Sequence, residues 1–72
     1  MPASERKAIA DELRALARGD ANLDVKPLAG HPGWYRLRIG SWRALYFSDA
    51  DGIVIDRIVN RRDLERAVDT LS

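Results

Sequence analysis

Arg36 and Arg38 stand two residues apart in Trp34-Tyr35-Arg36-Leu37-Arg38-Ile39, and Arg43 follows just beyond a Gly40-Ser41 pair. In an extended backbone successive side chains alternate between faces, so Arg36 and Arg38 point the same way. With Gly40-Ser41 as a two-residue hairpin turn, Trp42 faces Ile39 and Arg43 faces Arg38, which gathers three guanidiniums on one patch. Arg57, Arg61 and Arg62 come later in the chain and can extend it. Like charges placed opposite each other on a sheet repel. The planar fork of arginine matches phosphate, so a persistent cluster of this kind points to a phosphate-bearing ligand. The pattern fits equally a solvated sheet face shielded by arginine stems, with Asp56, Asp63 or Glu65 neutralising part of the charge. Both readings stay open at this level.

The charge distribution sharpens the location of such a site. The formal net charge is +1 over 72 residues. Residues 1–30 are balanced, and residues 48–72 carry four arginines against six acids, whereas residues 31–47 carry Arg36, Arg38 and Arg43 with no acid. The positive charge is therefore local and made of arginine, not spread over solubilising lysines.

Several function classes are disfavoured. Cysteine is absent and His31 is the single histidine, so no disulfide and no Cys/His zinc site is expected, and no cofactor is called for. No apolar run approaches the ~20 residues of a membrane span. MPASERKAIADEL has no continuous apolar stretch of signal-peptide type, so a cytoplasmic protein with no membrane partner is expected. A chain this short reads as one domain over residues 1–72, burying roughly 60% of its unfolded surface around a thin core. Apolar residues at 46% and charged residues at 32% fit a folded chain, not a disordered one.

The elements that position the arginines follow from periodicity. Ser4 reads as an N-cap, Ile9, Leu13 and Leu16 form a helical stripe, and Gly19 is the stop, which predicts a helix over Glu5 to Arg18. Residues 19–33 are punctuated by Gly, Pro, Asn and Asp and read as loop, with Val25 and Leu28 dipping into the core. Strands are expected over Trp34–Ile39, Trp42–Phe47 and Ile53–Val59, with Asp49-Ala50-Asp51-Gly52 as the second turn. Asn60 caps a last helix, with Asp63 as its capping-box partner and Leu64, Ala67, Val68 and Leu71 as an apolar stripe. The fold class is α+β: an N-terminal helix packed on a three-stranded antiparallel meander, then a short C-terminal helix.

Tyr35 and Tyr46 read as core residues, and Trp42 as a packing residue. Trp34 has two open roles, packing or stacking on a nucleobase. His31, in a turn with no evident orienting partner, reads as a spacer. Gly30, Pro32, Gly33 and Gly40 read as turn chemistry.

The run Lys26-Pro-Leu-Ala-Gly30-His-Pro-Gly-Trp-Tyr35-Arg-Leu-Arg-Ile-Gly-Ser-Trp-Arg43-Ala-Leu-Tyr46 resembles the central signature of the RelE/ParE family of bacterial toxins. There a K-x-L-x-G-x-P-G-x-Y-R-L-R segment leads through a tight turn into a Y-R-x-x-Y strand. Ile55-Asp-Arg57-Ile-Val-Asn-Arg61-Arg62-Asp63 is similar to the family's closing strand and its H-R-R-[DE] segment. The family begins with a strand and a first helix, whereas this sequence opens at what resembles the second helix. The resemblance therefore implies a shortened fold with an open sheet edge, available to an antitoxin or to a homo-oligomer, or a truncated relic.

That resemblance implies a toxin of a type II toxin-antitoxin system, acting as a metal-independent, ribosome-dependent mRNA endoribonuclease. It assigns catalysis to Arg43 and Arg61 and RNA phosphate binding to Arg36, Arg38 and Arg62. Several family members carry lysines at the first two positions. Arginine stays protonated, so Arg36 and Arg38 bind well but are poor bases. Asn60 replaces the family's histidine and Glu65 its tyrosine, which leaves Glu65 as a candidate for proton transfer beside its reading as a solvated helix-face residue. The implied partners are a cognate antitoxin, mRNA and the ribosome. The alternatives are a ParE-like, non-enzymatic inhibitor of DNA gyrase and a shortened, inactive fold that binds only an antitoxin.

Overall fold

A computed structural model describes residues 2–71. Helix α1 (Ala3–Arg18) is followed by strands β1 (Val25–Pro27), β2 (Trp34–Ile39), β3 (Trp42–Asp49) and β4 (Gly52–Asn60). A single 3-10 turn (Arg61–Asp63) then leads into α2 (Leu64–Asp69).

The C-terminal stop of α1 is as its glycine suggests. Gly19 is left-handed at φ 79°, its N–H donates to Leu16 O at 3.0 Å, and the Asp20 N–H donates to Ala15 O at 3.1 Å, which is a Schellman closure. The N-terminus departs from expectation. Ser4 is not the cap but lies inside the first turn; Pro2 holds the cap position, and its carbonyl accepts from the Arg6 N–H at 3.1 Å. Proline's fixed φ, here −61°, presets that entry without a side-chain acceptor.

The sheet has four antiparallel strands in the order β1-β2-β3-β4, one more than the expected meander. The extra strand, β1, comes from the segment read as loop. Three residues ending in proline have no periodicity of their own, so β1 exists by pairing with β2, as Val25↔Leu37, Lys26↔Arg36 and Pro27↔Tyr35. Pro27 is tolerated because β1 lies at the sheet edge, where a missing N–H breaks no internal ladder. Val25 does pack against the core, and Leu28 is half-buried.

The two sheet faces have separate coverings. On one, Ile9 and Leu16 of α1 pack against Leu37, Ile39, Ala44 and Tyr46, with Trp42, Ile55 and Ile58 at the margin. Trp42 is held there by its indole N–H, 3.3 Å from Glu5 Oε2, and Tyr35 stacks on Tyr46 at 5.5 Å. A bulge between Leu45 and Tyr46 in the β3–β4 pairing leaves Asp56 as the extra residue, which turns both Ile55 and Ile58 to the core side. On the opposite face Leu45 is wholly buried although it lies outside the α1 cluster, and Ala67 of α2 is buried as well. Arg57, paired with Leu45 across β3–β4, donates to Thr70 Oγ1 at 2.7 Å at the end of α2. The C-terminal helix thus closes over part of the face that α1 leaves bare.

Asn60 caps the 3-10 turn and not, as expected, the last helix itself: its Oδ1 accepts from the Arg62 N–H at 3.2 Å, and α2 begins only after Asp63. Asp63 does not complete a capping box; its carboxylate is taken by Arg66 one turn on.

Leu45→Ala empties a fully buried site beneath α2 and should lower stability by about 2–4 kcal/mol in urea unfolding, with loss of helical circular dichroism if α2 detaches. Burial, aided by Tyr35, raises the Tyr46 hydroxyl above its ordinary value. A folded value above the unfolded one means stability is full below about pH 10 and is lost as the pH climbs toward the folded value. The urea midpoint should therefore fall above about pH 10, and Tyr46→Phe should lessen that fall.

Candidate nucleic-acid interface

The face opposite α1 gathers the arginines. The hairpin closes on Gly40 at φ 59°, and its register sets Ile39 against Trp42 and Arg38 directly against Arg43. Arg36 pairs with Leu45 on the same face, two residues along β2. Arg61 joins from the end of β4, because its backbone N–H donates to Ser41 O at 2.8 Å and ties it to the hairpin turn. Arg43 is held against that turn by its Nη1, which donates to Gly40 O and Trp42 O, each at 2.9 Å.

These groups feel one another. Desolvation by burial, then Arg38, Arg36 and Arg61, push the Arg43 guanidinium below the ordinary arginine value, while Asp24 pulls it back. Four guanidiniums are therefore close enough to repel across a partly desolvated surface. The counter-charge is Asp24, a residue the sequence pattern did not single out. Its Oδ1 lies 3.6 Å from Arg36 Nη1 and its Oδ2 lies 3.7 Å from Arg38 Nη1. Its carbonyl accepts from the Arg38 N–H at 3.0 Å, so β1 pairing brings it to the site. One carboxylate spans two arginines at ion-pair range but beyond hydrogen-bond range. Arg36 is the more enclosed, its side chain 16% exposed against 56% for Arg38, and its Nη1 is buried without a hydrogen-bond partner. A phosphate oxygen within reach would satisfy that donor, which Asp24 as placed does not.

Other expected site residues are distributed differently. Arg62 is exposed beside the cluster, with its Nε 3.3 Å from Asn60 Oδ1. Arg57 is bound to Asp56 and Thr70 and does not join the patch. Asp56 and Asp63 neutralise Arg57 and Arg66, not the cluster. Glu65 is exposed on α2, lining an open groove of about 310 Å³ with Leu28, Ala29, Leu64, Val68 and Asp69. It is not among the groups that shift Arg43. His31 forms a turn, its N–H donating to Leu28 O at 3.2 Å and its carbonyl accepting from Trp34 N–H at 3.1 Å. Among the described residues no cluster of three or more His, Cys, Asp or Glu could hold a metal, and no helix is long and apolar enough to cross a membrane.

Likenesses to known proteins bear on the fold. The chain is 31% identical over 45 residues to toxin RelE3 of Methanocaldococcus jannaschii, which covers 62% of this chain and 51% of that protein. It thus spans about half the length of the curated relative it matches. The fold superposes on the crystal structure of a RelB-RelE antitoxin-toxin complex from Methanococcus jannaschii with a TM-score of 0.71 and 24% identity, covering 93% of this chain and 82% of that one. No protein-family model matches. The helix, the antiparallel sheet and the short terminal helix are those of a RelE-type fold. The resemblance to the RelE/ParE toxins holds in sequence and in fold.

Asp24→Asn tests the counter-charge. An ion pair this exposed is worth at most about 1 kcal/mol, so the loss of stability should be small and largest at low salt. Added inorganic phosphate should raise the melting temperature of the variant more than that of the wild type at equal ionic strength, because the anion takes the place of the missing carboxylate.

Proposed function

We propose that the chain is the toxin of a type II toxin-antitoxin system and cuts mRNA on the ribosome in the manner of RelE. The observation that carries this reading is the convergence of Arg36, Arg38, Arg43 and Arg61 on one sheet face, around an unsatisfied, enclosed Arg36 donor. In this reading Arg36 and Arg38 hold phosphates of the message, with Arg62 at the rim. The 2′-hydroxyl of the nucleotide before the cut attacks the adjacent phosphorus, the P–O5′ bond breaks, the departing O5′ takes a proton from water, and a 2′,3′-cyclic phosphate and a 5′-hydroxyl result. Arg43 and Arg61 stabilise the extra negative charge on the phosphorane oxygens, the kind of fixed electrostatic help that matters most in a water-poor site. Arginine supplies no base at working pH, so the attacking hydroxyl's proton goes to a group outside the four. Glu65 is this chain's candidate, and α2 must bring it closer to the substrate for that role.

The reading carries partners with it. A cognate antitoxin would cover the arginine face with acidic side chains and hold the toxin silent in the cytoplasm; the RelE of similar fold is seen in complex with RelB. A second reading, a ParE-like inhibitor of DNA gyrase that performs no chemistry, is favoured by one observation. The four guanidiniums supply no base, and the one carboxylate beside them, Asp24, is engaged between Arg36 and Arg38.

Induction of the chain should arrest growth, and primer extension on translated messages should show new cuts. Arg43→Ala or Arg61→Ala should lower cleavage by about 10²–10³-fold each. Unchanged cleavage in both variants rules out the assigned roles. Growth arrest with DNA-damage signalling and no cuts selects the gyrase reading.

A further inference from the structure

Trp34 stands on the arginine face of β2, not on the core face. It lies directly opposite Phe47 of β3, with ring centroids 4.9 Å apart and planes tilted by 55°. Neither ring belongs to the core cluster under α1. Together with Pro32, Gly33 and Ser48 they border an open depression of about 270 Å³. Gly33 leaves the approach unobstructed, since a Cβ built there would meet nothing within 4 Å. Along β2 the sequence Trp34, Arg36, Arg38 therefore presents an aromatic and two guanidiniums on one face, at steps of roughly 6.7 Å set by the two-residue repeat. A spacing of that order suits successive nucleotides of an extended single strand. Its charge suits the phosphates, and the apolar, open end suits a base.

We propose that Trp34 and Phe47 form a stacking platform for one unpaired base of a single-stranded RNA whose phosphates lie on Arg36 and Arg38. This deepens the RNA reading and rests on it. Stacking on an aromatic face is tolerant of sequence because every base has a π-face. The platform thus adds affinity and fixes how far the strand extends past the arginines, without selecting a base. It also gives a half-buried tryptophan on the sheet face away from the main core a binding role that packing under α1 cannot supply.

The test measures anisotropy of two labelled, uncleavable strands, 2′-O-methyl oligoadenylate and an abasic strand of the same length, with the full chain. Trp34→Ala should bind the intact strand about tenfold more weakly, with an unchanged dependence of log K on log salt. Trp34→Phe should stay within about threefold of wild type, because a ring remains. On the abasic strand wild type and Trp34→Ala should bind alike. Arg38→Ala, in contrast, should reduce the salt slope by about 0.7 on both strands. Equal weakening of Trp34→Ala on both strands would show structural damage and overturn the platform, as would no weakening on either. Failure of the wild type to bind either strand would bring down the RNA reading itself.

Discussion

Arg38 and Arg43 face each other across β2 and β3, and much of the fold can be understood as what keeps two like charges there. The hairpin at Gly40-Ser41 sets the register that opposes them, and the same register places Leu37, Ile39 and Ala44 in the core. A slip of one residue would relieve the repulsion but would turn every apolar side chain of the strand to solvent. Burial of several such side chains, each worth roughly 1.5–3 kcal/mol, outweighs a repulsion between partly solvated guanidiniums. The arginine cluster is thus held in place by the hydrophobic face behind it.

The opposite face is built differently, partly covered and partly open. Helix α2 packs along β4, tied to it by the Arg57–Thr70 hydrogen bond, while Arg38, Arg43 and Arg61 gather at the hairpin end. Asp24, delivered by β1, offsets part of the charge with contacts too long to be hydrogen bonds. A site occupied in this loose way is poised for exchange. A phosphate or an acidic side chain of a partner can take the place of the Asp24 carboxylate by offering better geometry to Arg36.

What could be read from the sequence divides along the line between local and tertiary causes. The bounds of β2, the Gly40-Ser41 turn, the opposition of Arg38 and Arg43, and the packing of Trp42, Tyr35 and Tyr46 all follow from two-residue alternation and turn chemistry. The end of α1 at Gly19 does too. The fourth strand did not show, because Val25–Pro27 becomes a strand only through β2. Asp24 was hidden for the same reason: it lies twelve residues from Arg36 in a segment that reads as loop. The entry to α1 was misplaced because Ser4 carries the commoner cap signature, whereas Pro2 achieves the turn by its fixed backbone angle. The side of the sheet taken by α2 depends on Leu45 and Arg57, which no periodicity of α2 itself reveals.

On the proposed reading the four guanidiniums act together on phosphate. Nuclear magnetic resonance of the arginine Nε–H groups, during titration with a short uncleavable single-stranded RNA, tests it most directly. Arg36, Arg38, Arg43 and Arg61 should shift along one common binding curve, Arg57 should not, and binding should weaken steeply with added salt. Shifts confined to Arg62 and Arg66 at the exposed end, or a binding curve indifferent to salt, would contradict it.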